Sequence, residues 1–287
     1  MENKDITIAQ LGRCIESQLS PIYGIGEAKA MTRLIFHSLK GWGFTDLVIH
    51  SDNIATPYLI ESVNKILDRL KNKEPLQYIL GEAYFYGLNL KVSPETLIPR
   101  PETAELVDMI VKDFSHEKDL RVLDIGTGSG AIAIALSRNL PFAEVSAIDI
   151  SSGAITIARE NASALKARVS FDVSDIFDYH PDAGSFDIIV SNPPYIDESE
   201  KSDMDDNVLV YEPHTALFVP DDDPLKYYRT ISLVAKSALS AEGALYFEIN
   251  PRHAAELKEL LVSEGFIDIE LLKDISGKVR FISCRKG

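Results

Sequence analysis

The sequence predicts an α/β protein: a seven-stranded, mostly parallel sheet with an antiparallel edge pair, preceded by a small N-terminal helical domain that a β-hairpin joins to it. Three observations predict it. From about residue 120, apolar strand-like runs alternate with helical stretches. The first of those runs ends in a glycine-rich turn, Gly126-Thr127-Gly128-Ser129-Gly130. Residues 1–75, by contrast, carry apolar residues at helical spacing and no strand-like alternation of any length.

In residues 1–75 the helical spacing is seen in Ile8, Leu11, Ile15 and Leu19, and again in Tyr58, Leu59, Val63, Ile66, Leu67 and Leu70. Gly24, Gly26, Gly41, Gly43 and Pro57 divide the segment into short helices. Residues 76–100 change character. The runs Gln77–Gly81 and Phe85–Val92 are aromatic, β-branched and punctuated by glycine, which predicts a hairpin linker. The α/β domain then occupies 101–287. Its strands are predicted at 121–125, 144–148, 169–173, 186–190, 243–248, 267–272 and 279–284. Helices are predicted at about 130–139, 153–166, 224–240 and 254–264. Only a short loop with Gly277 separates the last two strands, so they pair antiparallel at one edge.

Bulk composition excludes several classes. With 287 residues and 45% hydrophobic content, the chain can bury a core without metal or disulfide staples. Cys14 and Cys284 lie in no metal-binding pattern, and the six histidines form no HxH or HxxxH pair, so two reduced thiols and no metal site are expected. The N-terminus lacks the basic-then-apolar run of a signal peptide, and no apolar stretch approaches the ~20 residues of a membrane helix. A cytoplasmic monomer without membrane attachment is the expectation. Net charge is -15; residues 1–75 hold nine acids and nine bases, so the whole excess falls on residues 76–287. An acidic region of this size argues against a free-standing nucleic-acid enzyme, because such affinity comes largely from Lys and Arg on phosphates. Within it, the polar stretch 196–223 is long for a connection, and reads as a solvated mobile loop with the reach of a lid.

The glycine turn is the first chemical signal. Val122-Leu123-Asp124-Ile125 runs into Gly126-Thr127-Gly128-Ser129-Gly130, at the carboxyl end of a strand where open α/β sheets bind ligands. The spacing is neither that of dinucleotide enzymes nor that of a P-loop. Asp149 ends the second strand, where an acid accepts hydrogen bonds from ribose hydroxyls. After the third strand, Asp175 is placed to accept from an exocyclic amine and Ile176 to pack on an adenine ring. Each acid alone also suits a helix N-cap. Together, at successive strand ends, they predict a nucleoside cofactor bound by Gly126, Thr127, Gly128, Ser129, Gly130, Asp149, Asp175 and Ile176.

The second signal is Asn192-Pro193-Pro194-Tyr195 at the end of that fourth strand. Consecutive prolines fix φ and remove donors, leaving a rigid loop that presents carbonyl oxygens. A planar NH2 group can donate to the Asn192 side-chain oxygen and to the Pro193 carbonyl. Tyr195 can lie flat on the group that carries the nitrogen. Such nitrogens are poor nucleophiles, so gripping both hydrogens and aiming the lone pair is the chemistry required. Against a sulfonium-activated methyl, no metal or nucleophilic side chain is needed. Asn192, Pro193 and Tyr195 are the candidate catalytic residues, and Asn192 to Tyr195 the candidate substrate site. The pattern predicts methyl transfer from S-adenosylmethionine, with S-adenosylhomocysteine as product.

On these residues the chain closely resembles the bacterial release factor glutamine methyltransferases. The resemblance runs through Glu74–Gly81, Phe85-Tyr86-Gly87, Leu97-Ile98-Pro99-Arg100-Pro101-Glu102-Thr103, Asp124–Gly130, Asn192–Tyr195 and Tyr211-Glu212-Pro213. The Pro99–Thr103 block discriminates, because other methyltransferases share the glycine turn and DNA adenine methyltransferases share the tetrapeptide. The resemblance implies a Rossmann-like methyltransferase domain and a helical domain, 1–75, that docks a protein substrate. It also implies N5-methylation of the glutamine in the Gly-Gly-Gln motif of peptide chain release factors, with no nucleic acid partner, and by position it adds Asn192 to the cofactor-binding residues. Some members have Trp where Ile176 stands. Two alternatives remain at this level: an N6-adenine methyltransferase acting on DNA or RNA, using the same tetrapeptide on a flipped base, and a noncatalytic cofactor-binding scaffold. Arg100 is read either as an ion-pair support for the domain junction or the lid, or as an inconsequential surface charge.

Overall fold

The computed structural model describes residues 5–287 apart from the Asp203 side chain; residues 1–4, the start of the predicted 1–75 domain, lie outside the described residues. The chain divides into two compact units, Met1–Gly81 with Asp206–Tyr211, and Glu82–Asp205 with Glu212–Gly287.

The first unit is helical: α1 (Ile8–Tyr23), α2 (Ile25–Lys40), α3 (Phe44–Ile49), α4 (Pro57–Lys71) and α5 (Leu76–Leu80). Thr7 starts α1 with a capping box, its hydroxyl accepting from the Gln10 N–H while the Gln10 side chain accepts from its own. Ile8, Leu11, Ile15 and Leu19 are all buried, against Ile35 and Phe36 of α2 and Leu59, Val63, Leu67 and Leu70 of α4. Tyr58, expected in that stripe, is instead 78% exposed. A sixth helix, Asp206–Tyr211 (α9 by its place in the chain), belongs to the same unit. The Lys73 ammonium pairs with Asp206, and the Tyr211 hydroxyl donates to the Asn72 carbonyl. The stretch expected as a mobile loop therefore has structure of its own, because its few apolar and aromatic residues find partners.

The predicted hairpin is corrected at its first run. Gln77–Leu80 lies in α5, not in a strand: Pro75 opens the turn, Gly81 closes it in the left-handed region, and Leu76 and Tyr78 are buried. The hairpin is β1 (Glu82–Phe85) with β2 (Leu88–Lys91), antiparallel, and it belongs to the second unit.

The second unit continues with α6 (Pro101–Phe114), β3 (Arg121–Ile125), α7 (Ala131–Asn139), β4 (Glu144–Asp149), α8 (Ser152–Leu165), β5 (Val169–Val173), β6 (Phe186–Ser191), β7 (Ile196–Asp197), β8 (Phe218–Val219), α10 (Lys226–Ala238), β9 (Leu239–Glu248), α11 (Ala254–Glu264), β10 (Ile267–Lys273) and β11 (Val279–Arg285). The seven-stranded sheet has the order β10-β11-β9-β6-β3-β4-β5. β9, β6, β3, β4 and β5 run parallel, while β11 is antiparallel to both β9 and β10. Residues alternate between the two faces. Val122, Ile188, Val190 and Tyr246 pack with α6, α7 and α8, whereas Leu123, Ile189, Leu245 and Phe247 pack with α10 and α11. Helix α6 is absent from the sequence reading, although Pro101 stands at a favourable first position and Leu106, Ile110 and Phe114 form its buried stripe. Strand β9 begins at Leu239, inside the predicted 224–240 helix, with a register irregularity against β6 before Ala244.

Candidate active site

The sheet's winding direction reverses between β3 and β6, the place where open α/β sheets bind ligands. Parallel register sets what meets there. Ser191, the last residue of β6, pairs with Ile125 on one side and Phe247 on the other. The next residue of each strand is then Asn192, Gly126 or Glu248. The Ser191 hydroxyl ties the junction by donating to the Ile125 carbonyl at 2.7 Å.

A cavity of about 450 Å³ opens at these strand ends. Gly126, Gly128, Asp149, Asp175, Ile176, Asn192, Pro193 and Pro194 all line it. Gly126 and Gly128 have φ of 75° and 56°, and a Cβ on either would meet no protein atom within 4 Å. A side chain there would therefore project into open space beside the cavity, which is what a cradle for a ligand requires. The Asp149 carboxylate accepts from the Gly128 N–H at 2.8 Å through Oδ2 and from the Ser151 N–H at 2.9 Å through Oδ1. Each oxygen keeps acceptor capacity for a further donor. Burial raises the Asp149 pKa, opposed by the backbone N–H groups of Ser151, Gly128 and Ile150.

The other predicted cofactor residues shape the loop without lining the cavity. The Thr127 hydroxyl donates to Asp124 Oδ2 at 2.6 Å, and the Ala133 N–H to the same oxygen at 3.2 Å. Asp124 is fully buried, and burial pushes its carboxyl up to about 7. The carbonyl of the buried Ser129 accepts from the Asn161 side chain. Gly130 is a packing glycine, since a Cβ there would lie 2.9 Å from Ile134 and 3.2 Å from Ala158. Asp175 caps a short 3-10 turn by accepting from the Phe177 N–H, and it still faces the cavity. Ile176 is not the only apolar wall there. Phe177 and Tyr227, ring centroids 5.6 Å apart, also line the cavity, and the Lys226 ammonium sits 4.7 Å from the Phe177 centroid. The sequence reading missed Lys226 and Tyr227, which lie 50 residues or more beyond Ile176 in the chain.

The Asn192–Tyr195 loop is held from two distant elements. Asn192 Nδ2 donates to the Thr103 hydroxyl at 3.2 Å, and that hydroxyl donates to Glu248 Oε2 at 2.7 Å. Tyr195, expected to present its face to the acceptor, does not line the cavity; its hydroxyl donates to Glu248 Oε1 at 2.9 Å. Glu248 is 1% exposed. Burial raises its pKa, against the pull of the Thr103 and Tyr195 hydrogen bonds and of Arg280. The Tyr195 hydroxyl is raised in turn by burial and by the Glu248 carboxylate. Asn250 adds a side-chain donor to the Tyr195 carbonyl at 3.1 Å. Neither Thr103 nor Glu248 was singled out as a site residue. Arg100 resolves differently from a surface charge: its guanidinium pairs with Glu212, whose side chain is 1% exposed and also accepts from the Ile98 N–H. The two blocks around Arg100 and Glu212 therefore meet through one buried carboxylate.

Among the described residues, no cluster of three or more His, Cys, Asp or Glu side chains could hold a metal ion, and no helix is long and apolar enough to cross a membrane. Both cysteines are free thiols.

Comparison with known proteins adds a second line. The family model described as methyltransferase small domain matches residues 104–218, and that described as PrmC N-terminal domain matches residues 10–81. A release factor glutamine methyltransferase of Bacteroides thetaiotaomicron is 45% identical over 273 residues, covering 95% of this chain and 98% of the relative. One from Flavobacterium psychrophilum is 46% identical over 250 residues, covering 86% and 87%. Among solved structures, a methyltransferase from Pyrococcus furiosus superposes with a TM-score of 0.52 at 19% identity, over 70% of this chain and 90% of that one, a likeness of fold.

Proposed function

The chain belongs to the family of release factor glutamine methyltransferases, and from that premise we propose that it moves the methyl group of S-adenosylmethionine to the side-chain amide nitrogen (N5) of the glutamine in the Gly-Gly-Gln motif of peptide chain release factors. The observation that carries the proposal is that Gly126 and Gly128 of the glycine turn, Asp149 and Asn192-Pro193-Pro194 line one and the same cavity. A donor site and an acceptor grip thus share a single space.

The residues present fit that cofactor. Gly126 and Gly128 leave room for close backbone approach. Asp149 has acceptor capacity left for ribose hydroxyls, and Asp175 for an exocyclic amine. Ile176, Phe177 and Tyr227 offer apolar and aromatic surface to a purine. Thr127, Ser129 and Gly130 hold the turn in shape behind them. When bound, S-adenosylmethionine supplies a methyl group already activated by its sulfonium centre.

The chain's own residues then have to orient a weak nucleophile. The Asn192 side-chain oxygen and the Pro193 carbonyl accept the two hydrogens of the glutamine amide. The proline pair keeps those acceptors from relaxing away. Fixing the nitrogen this way converts an encounter into a positioned reaction, and positioning is worth ~7–11 kcal/mol in favourable cases. Proton loss can follow transfer, so no base is required at the nitrogen. Tyr195 serves the same grip from behind, through its anchorage on Glu248. The reading carries with it a cytoplasmic monomer, no metal, and residues 1–75 as the part that docks the protein substrate, supported by the match at 10–81. The adenine alternative has only the tetrapeptide behind it, and the acidic balance of residues 76–287 speaks against it.

Mass spectrometry of a release factor after incubation with the enzyme and S-adenosylmethionine tests this. One added methyl on the Gly-Gly-Gln glutamine is expected. Methylation of DNA and not of the release factor would overturn it.

A further inference from the structure

We propose that Thr103 and Glu248 are positioning residues that fix which end of the Asn192 amide faces the acceptor. The proposal rests on the reading that Asn192 grips the acceptor NH2, and it deepens that reading. An asparagine amide is nearly symmetric in shape, yet its two ends have opposite chemistry. Only the orientation with Oδ1 toward the cavity can accept a hydrogen from the acceptor nitrogen. Something must choose it.

Thr103 and Glu248 make that choice through a one-way chain of hydrogen bonds. The Thr103 hydroxyl has a single hydrogen, which is directed to Glu248 Oε2 at 2.7 Å. An ionised carboxylate only accepts, so it claims that hydrogen. What remains on the Thr103 oxygen is acceptor capacity. It is met by Asn192 Nδ2 at 3.2 Å. Rotating the amide by half a turn would set Oδ1 against lone pairs and leave the Thr103 acceptor unmatched. With Thr103 5% and Glu248 1% exposed, bulk water is not at hand to relieve that mismatch.

The same carboxylate also holds the far end of the loop, since its Oε1 accepts from the Tyr195 hydroxyl at 2.9 Å. One carboxylate therefore anchors Tyr195 directly and Asn192 through Thr103. Its charge has a further use. Hydrogen bonds in a chain polarise one another, so a carboxylate two bonds away increases the negative character of Asn192 Oδ1. The acceptor nitrogen becomes cationic as it gains a methyl and until its proton leaves, and a more negative Oδ1 favours that state. Thr103 belongs to the Pro99–Thr103 block, which the glycine turn and the tetrapeptide do not account for. This chain of contacts gives its last residue a task.

Three variants test the proposal. Thr103→Val keeps the shape and removes the hydroxyl; Thr103→Ser keeps the hydroxyl; Glu248→Gln keeps the shape and removes the charge. The readouts are kcat on a release factor, S-adenosylmethionine affinity by calorimetry, and the side-chain NH2 signals of Asn192 by NMR. Thr103→Val is expected to lower kcat about 10- to 100-fold while cofactor affinity stays within about twofold, with Thr103→Ser restoring most of the rate. The Asn192 NH2 signals are expected to move in Thr103→Val and to return in Thr103→Ser. Glu248→Gln is expected to lower kcat by about tenfold or more, and it serves if the valine variant fails to fold. A folded Thr103→Val with wild-type kcat, or with unmoved Asn192 signals, would overturn the proposal, as would wild-type kcat in Glu248→Gln. The NMR arm needs no substrate. A wild-type enzyme inert toward release factors, with Asn192 signals that still follow Thr103, would sink the proposed function and leave the positioning role supported.

Discussion

Two loops meet at the centre of this sheet, and they are held in shape by different means. The glycine turn after β3 is supported from nearby in sequence. Asp124 accepts from Thr127 three residues on and from Ala133 nine residues on, and Asp149 accepts from Gly128 at a separation of 21. Its form depends on backbone freedom at glycine. The Asn192–Tyr195 loop has the opposite construction. Prolines restrict its backbone, and its side chains are anchored at long range, to Thr103 across 89 residues and to Glu248 across 53. The loop proposed to let a ligand come close is thus built from absent side chains, and the loop proposed to aim two acceptors is built from immobilised ones.

The most direct way to break the comparison is at the aiming loop. Asn192→Ala removes one of the two acceptors proposed to grip the nitrogen. Removing one well-placed hydrogen-bonding group from a reaction centre lowers rate by about 100- to 1,000-fold. We expect a loss of that size in kcat, with S-adenosylmethionine affinity changed little. A calorimetric loss of cofactor binding as large as the loss of rate would show that the two loops are not separable.

The contrast also explains what could be read before the structure. The five parallel strands were legible because strands buried on both faces are continuous apolar runs, such as Val122-Leu123 and Ile188-Ile189-Val190. The glycine turn and the tetrapeptide were legible because each is contiguous. Their supports were not equally so. Asp124 lies beside its loop, whereas Thr103 comes from a helix that tertiary packing brings to Asn192, and Glu248 from a strand that sheet register brings there. Gln77–Leu80 was misread because four residues are too few to separate the two periodicities, and tertiary contacts at Leu76 and Tyr78 decided for helix. The aromatic surface near Ile176 was sought at that one position. It comes from the next residue, Phe177, and from Tyr227, which the turn into α10 brings back to the cavity.

At the cradling loop, Asp149→Ala sharpens the comparison from the other side. The substitution removes the proposed ribose acceptor and also frees the N–H groups of Gly128 and Ser151. Hydrogen bonds to a charged group contribute about 1.5–3 kcal/mol, so the cofactor Kd is expected to rise about 10- to 100-fold. With the cofactor made saturating, kcat should recover to near the wild-type value, which Asn192→Ala cannot do. Calorimetry together with a rate measured against cofactor concentration decides it, and an unchanged Kd would remove Asp149 from the site.

A further expected effect lies beneath the glycine turn and concerns stability, not rate or affinity. Burial lifts the Asp124 carboxyl from 3.8 to about 7. Its Oδ1 has no hydrogen-bond partner among the described residues, which fits a group whose charged form is poorly solvated. Between those two values the folded chain keeps a proton that the unfolded chain has released. Stability therefore falls as pH rises through that window, by about 1.4 kcal/mol per pH unit, and the loss levels off above about pH 7. Asp124→Asn cannot titrate, so it lacks this contribution at every pH. Urea denaturation of both proteins at about pH 4.5, 6 and 8 should show the wild-type advantage shrinking with pH across the window and then holding constant. Other titrating groups are common to the two chains and drop out of the difference. A difference that does not vary with pH would mean that Asp124 stays ionised in the fold. The turn would then rest on a buried charge, as the Asn192–Tyr195 loop is proposed to rest on Glu248, and the two loops would be more alike in their support than their backbones are.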